Sequence, residues 1–161
     1  MIRAARRPLL IGWLALLAGC DYLYGVTRRA DGPLTFDARV LQDVLRTQPG
    51  VHADHEWDGE SMAFIIERPP AWVVVGCSTQ WPPPSGEVFV HGPHRLNEVP
   101  CDDVLFASLA LQQEIVEMLA RTVPGFPSPS ALQLEWNGLD FPLGDELAAA
   151  KARWETTAGK R

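Results

Sequence analysis

Residues 51–77 read VHADHEWDGESMAFIIERPPAWVVVGC: two runs rich in strand-forming residues meet at Asp58-Gly59, and a third follows Pro69-Pro70. Asp-Gly between two such runs is a strong hairpin signal, because both central residues of a type I′ turn need positive φ. In the register this turn sets, Val51, Ala53, His55 and Trp57 oppose Ile66, Phe64, Met62 and Glu60, which makes theirs the core face. Pro69-Pro70 interrupts the ladder, since proline has no N–H to donate. Ala71 to Cys77 is apolar throughout, as suits a strand covered on both sides.

Working outward, Val88-Phe89-Val90 reads as a fourth strand. Upstream, Thr35 is placed to cap a helix whose Phe36, Val40, Leu41, Val44 and Leu45 recur at helical spacing, with Arg39 and Asp43 paired on its outer side and Pro49-Gly50 ending it. Downstream, Asp102 caps the longest helix, Asp103 to Arg121. Its Val104, Leu105, Leu109, Leu111, Ile115, Val116, Met118 and Leu119 cover a wide arc, and Gln113, Glu114, Glu117 and Arg121 fill the narrow remainder. Asn137-Gly138 marks a second hairpin, Ala131 to Trp136 with Leu139 to Phe141, and a final helix runs from Asp145 through Trp154. Tyr22 to Pro33 fits either a tether or a first edge strand.

The resulting order is helix, four strands, helix, two strands, helix. The fold class it predicts is α+β: an antiparallel sheet with helices packed on one face. With a further strand from Tyr22 to Thr27, the middle resembles a ferredoxin-like split β-α-β arrangement with added strands. No internal repeat is visible, and residues 34–158 make up one domain.

The N-terminus carries a different kind of information. Arg3, Arg6 and Arg7 precede an uncharged, mostly apolar run from Pro8 to Gly19, the n-region and h-region of a signal peptide. Crossing ~30 Å of hydrocarbon at ~1.5 Å per residue takes about 20 apolar residues, and this run stops before Cys20-Asp21. Leu17-Ala18-Gly19-Cys20 resembles the lipobox of bacterial lipoproteins. The resemblance implies removal of residues 1–19, lipidation of Cys20, a short tether over residues 20–33, and a periplasm-facing domain held on the cell membrane. Asp21 resembles the signal that retains lipoproteins in the inner membrane of enteric bacteria; the rule differs between bacteria, which leaves the outer membrane open.

Residues 1–19 hold three of the fourteen basic residues and none of the twenty acidic ones, so the rest has eleven against twenty, a charge near −9. A chain of that sign without basic clusters is no general binder of nucleic acid or anionic lipid. Cys77 and Cys101 remain as an even pair in an oxidising compartment, which predicts a disulfide contributing ~3 kcal/mol in the chain-entropy model.

All four histidines fall in two H-x-x-H pairs. In a strand, His52 and His55 point to opposite faces and cannot share a metal ion. His91 and His94 bracket Gly92-Pro93, a turn that brings them close enough to hold Zn²⁺ or Cu²⁺ with a further ligand such as Glu98 or Asp102. Asp54, Glu56, Asp58 and Glu60 make a solvated acidic turn. No G-x-S-x-G, P-loop or H-E-x-x-H is present, and no cofactor or enzyme activity is expected. Trp81-Pro82-Pro83-Pro84 sets a large aromatic beside a stiff segment. It suits docking to another envelope protein at little ordering cost, or folding back as a plug over the sheet edge. The expected role is a non-enzymatic interaction module of the envelope, in an assembly or secretion complex or as an inhibitor or immunity protein. Metal binding through His91 and His94 is the second reading.

Overall fold

The computed structural model describes residues 25–79, 85–92, 102–139 and 144–158. In chain order the elements are β1 (Gly25–Asp31), α1 (Ala38–Arg46), β2 (Val51–His55), β3 (Ser61–Arg68), β4 (Ala71–Thr79), β5 (Gly86–Gly92), α2 (Asp102–Thr122), a 3₁₀ turn (Pro129–Ala131), β6 (Gln133–Asn137) and α3 (Gly144–Ala158). The strands form one sheet in the order β2-β3-β4-β5-β1-β6, with every neighbouring pair antiparallel. The fold is α+β.

The segment that sequence left between tether and edge strand is neither. β1 lies inside the sheet, bonded to β5 on one side and β6 on the other, so the folded unit includes residues 25–33, ahead of residue 34. The physical reason is alternation. Val26 turns to the helix side and is fully buried, Thr27 turns the other way at 7 % exposure, and both faces of the strand are therefore used. With β1 in place, β1-α1-β2 is a split β-α-β unit whose two strands are separated by β3, β4 and β5, the added strands lying in the β2–β5 meander.

All three helices pack on one face. Leu41 and Leu45 of α1 and Leu111, Ile115, Val116 and Leu119 of α2 meet Met62, Phe64 and Ile66 of β3, Val73 and Val75 of β4, and Val88 and Val90 of β5. A smaller cluster joins Leu105 and Leu109 of α2, Ala150 and Trp154 of α3, Val26 of β1, and Leu134 and Trp136 of β6. Each fully buried aliphatic side chain stabilises by roughly 1.5–3 kcal/mol. Within this apolar layer Gln112, fully buried, donates from Nε2 to the carbonyls of Val26 (2.6 Å) and Gly92 (3.2 Å). It pins the start of β1 to the end of β5.

Three local expectations change. Asp37, not Thr35, caps α1: its side chain accepts from the Arg39 N–H at 2.8 Å, while Thr35 donates to the Gly125 carbonyl at 2.7 Å. Asp43 lies 3.8 Å from Arg46 rather than pairing with Arg39. The first hairpin is longer than two residues, because Asp58 Oδ1 accepts from the Glu60 and Ser61 N–H groups and organises residues 56–60 as a loop. β6 pairs with β1, and the strand expected from Leu139 to Phe141 after the Asn137-Gly138 turn lies outside the described residues except for Leu139.

Candidate functional site

The face of the sheet opposite the helices carries the first candidate. His91 on β5, Thr27 on β1 and Asn137 on β6 lie side by side there. Asn137 Nδ2 donates to Thr27 Oγ1 at 2.6 Å, and Thr27 Oγ1 stands 2.6 Å from His91 Nδ1. With Thr27 accepting from Asn137, its own hydroxyl proton is available to the imidazole. A hydroxyl that close to a histidine has the spacing of a nucleophile and its base. Thr27, however, is 7 % exposed and His91 1 %, so within the sheet the trio acts as a polar lock across three strands.

One register position further along, Arg29 meets Asp31 (2.5 Å), Glu87 (3.4 Å) and Glu135 (3.8 Å). The Asp31 hydrogen bond and these three charges raise its pKa above the ordinary arginine value. This cation is neutralised within its own face.

The second candidate lies on the helix side. Because side chains alternate, Arg28 points away from Arg29 and lies beneath a cleft of about 490 Å³ between α2 and α3. Phe106, Leu109 and Ala110 of α2 and Trp154 of α3 form apolar walls, and Gln113, Glu114, Glu117 and Thr157 complete the lining. Trp154 is fixed by a tilted contact with Trp136, ring centroids 6.1 Å apart. The Arg28 Nε is buried without an acceptor. Desolvation lowers the guanidinium pKa, and the charge of Glu117 only partly offsets it. At the mouth, Glu114 is held by Arg68 at 2.5 Å and Glu117 accepts from Gln113 at 2.6 Å.

No protein-family model, curated protein or solved structure matches this chain.

Of the residues singled out from sequence, Cys20, Trp81, Pro82, Pro83, Pro84, His94 and Cys101 lie outside the described residues. His91 is buried in β5 with Nδ1 against Thr27, not solvated at a turn. Asp102, offered as a third ligand beside it, is gripped through both carboxylate oxygens by Arg153 at 2.6 and 2.7 Å. Among the described residues no three His, Cys, Asp or Glu side chains converge as a metal site. The argument that separated His52 from His55 fails for a local reason: a bulge shifts the register between Ala53 and His55, so His52 opposes Ile65 and His55 opposes Ala63, on one face. Both histidines are exposed, and His55 Nε2 bonds Ser61 at 3.1 Å. Cys77 is 1 % exposed, and burial pushes its thiol up to about 12.

Sequence reasoning missed Arg28, Thr27 and Asn137. For Thr27 and Arg28 the signal lay in the strand reading of residues 25–31, which sends Arg28 and Arg29 to opposite faces; Asn137 was read only as a turn residue.

Proposed function

We propose that this chain is a lipid-anchored protein of the bacterial envelope that holds its α+β domain close against the membrane and offers the far end of its sheet to another envelope protein. The observation that carries this reading is that Gly25 is already held in the sheet, in β1 opposite Asn137. Four residues lie between it and Cys20, and the five Cα-to-Cα steps span at most ~18 Å even when fully extended. The edge of the sheet nearest the lipid is then the one holding Gly25 and its cross-strand partner Asn137, together with Gly92. Asp31, Gly86 and Thr79 stand at the opposite edge, and Thr79 and Gly86 flank the Trp81–Pro84 segment in sequence. The loop at residues 56–60 projects at that edge too, tied by the Thr79 N–H to the Glu60 carbonyl at 2.7 Å.

No helix among the described residues is long and apolar enough to cross a membrane; in this reading attachment rests on the lipid of Cys20. Two or more acyl chains hold a protein firmly where one does not. Asp21 favours the inner membrane. An oxidising compartment also makes Cys77 and Cys101 disulfide partners in the same reading. Denatured without reductant, the chain should take up no alkylating label at either cysteine, and uptake at both would overturn the pairing.

The anchor is tested by metabolic labelling with an alkyne fatty acid. The wild-type chain is expected to take label and fractionate with membranes, and the Cys20→Ala chain to lose both properties; an unlabelled wild type sinks the proposal. The partner is tested with a photo-crosslinking residue at Gly59 or at Leu139. A discrete adduct at Gly59, weak at Leu139 and lost with Cys20→Ala, is the expected pattern, and adducts confined to Leu139 would reverse the assigned ends.

A further inference from the structure

We propose that the cleft between α2 and α3 is a binding site for a small apolar monocarboxylate, whose carboxylate is received by Arg28 and whose hydrocarbon or aryl body lies between Phe106 and Trp154. The site is independent of the lipid anchor, and either can fail alone.

Arg28 is half-buried at the base of the cleft. A guanidinium taken half out of water costs free energy that a partner normally offsets. Its neighbour Arg29, on the other face, shows what that compensation looks like: three carboxylates within 4 Å. Arg28 has no such set. Its Nε is buried with no acceptor, and no ion pair to it forms among the described residues. Glu114, which also lines the cleft, is engaged by Arg68, and Glu117 by Gln113. The cation is therefore left with unspent hydrogen-bonding capacity at the edge of a cavity.

The cavity defines the rest of the ligand. About 490 Å³ falls in the range of small-molecule sites, roughly 300–1,000 Å³. Phe106, Leu109, Ala110 and Trp154, the last braced by Trp136, form one continuous apolar side of it, so the part of the ligand that faces them is apolar. Its charge is constrained from both sides. Arg28 calls for an anion and matches a carboxylate through paired N–H groups. Glu117, close enough to act on Arg28 through its charge, penalises a dianion such as a phosphate monoester. A single negative charge on an apolar frame satisfies both.

The test uses the full-length chain in buffer containing nanodiscs, with empty nanodiscs as the partition control. 4-Fluorophenylpropionate serves as probe, followed by fluorine NMR line broadening, and the corresponding amide is the neutral comparison. The acid is expected to bind in the micromolar to millimolar range, and the amide roughly tenfold more weakly or worse, the scale of a charge-assisted hydrogen bond. Arg28→Met should bring the acid down to the amide's affinity while leaving the amide unchanged. Glu117→Gln should tighten the acid alone. Absence of acid binding at millimolar concentration overturns the proposal, as does equal affinity for acid and amide in the wild-type chain, a comparison that needs no variant to fold. An acid that binds equally well to Arg28→Met, with the thermal melt intact, also overturns it.

Discussion

Asp102 and Arg153 make the clearest single-residue statement in the molecule, because their bidentate pair ties the first turn of α2 to α3. The Arg153 hydrogen bonds, followed by its charge, hold the Asp102 carboxyl below the usual carboxylate range. A depressed carboxylate contributes stability that is complete above its unfolded-state pKa and is lost as pH falls through the folded-state value. Asp102→Asn is therefore expected to lower the urea midpoint at neutral pH, with the gap to wild type closing in acid; a gap that persists below the carboxylate range would refute the assignment. The effect is small, since both side chains are solvent-screened. Gln112 has more at stake. Gln112→Met keeps the volume but strands two buried carbonyls, so a loss of about 1–3 kcal/mol is expected by urea denaturation. Neither role was legible in the sequence. The spacing of α2 located its apolar arc, yet Ser108 and Gln112 lie buried inside that arc, and a helical wheel cannot show which carbonyls across the interface want a donor.

At the scale of elements, the strands were readable wherever the side-chain period was clean. Residues 61–67 and 71–77 alternate or run apolar, and the strands expected there are β3 and β4, which pair with Phe64 against Val75 and Ile66 against Val73. β1 was obscured because GVTRRAD places two arginines in succession and looks like a polar tether, although each arginine serves a different face. β2 was misread at its end because a bulge adds a residue without leaving a mark in composition. Gly76 shows how tightly two of these elements meet. On its face of β4 the Phe89 ring lies where a Cβ would stand, and the Met62 carbonyl is close behind. Gly76→Ala should cost about 1–3 kcal/mol by overpacking. Gly76→Ala combined with Phe89→Leu should lose less than the sum of the two single changes, a coupling measurable by a double-mutant cycle; strict additivity would show that the ring does not depend on the missing Cβ.

For the whole molecule, the class of fold followed from element order, while the sites did not, because each is assembled from strands and helices distant in sequence: Thr27 meets His91 and Asn137, and Arg28 meets Phe106 and Trp154. The N-terminal motif and the fold bear on each other through one length. β1 advances ~3.3 Å per residue, so Asp31 stands ~20 Å from Gly25, more than the reach of the five residues that precede it. In the proposed lipid-anchored state, a domain tethered at Cys20 is thereby biased to one orientation, with the Asn137–Leu139 edge toward the bilayer and the Glu60 edge away from it. A fluorescent residue introduced at Leu139, which is already 37 % exposed, should transfer energy efficiently to a headgroup-labelled lipid in nanodiscs, and the same residue at Glu60 should transfer far less. The contrast depends on the lipid, so it should vanish in the Cys20→Ala chain added to the same nanodiscs. Equal transfer from the two positions of the lipidated chain would mean that the domain tumbles freely on its tether, and the membrane would then leave the choice of presented end to the partner alone.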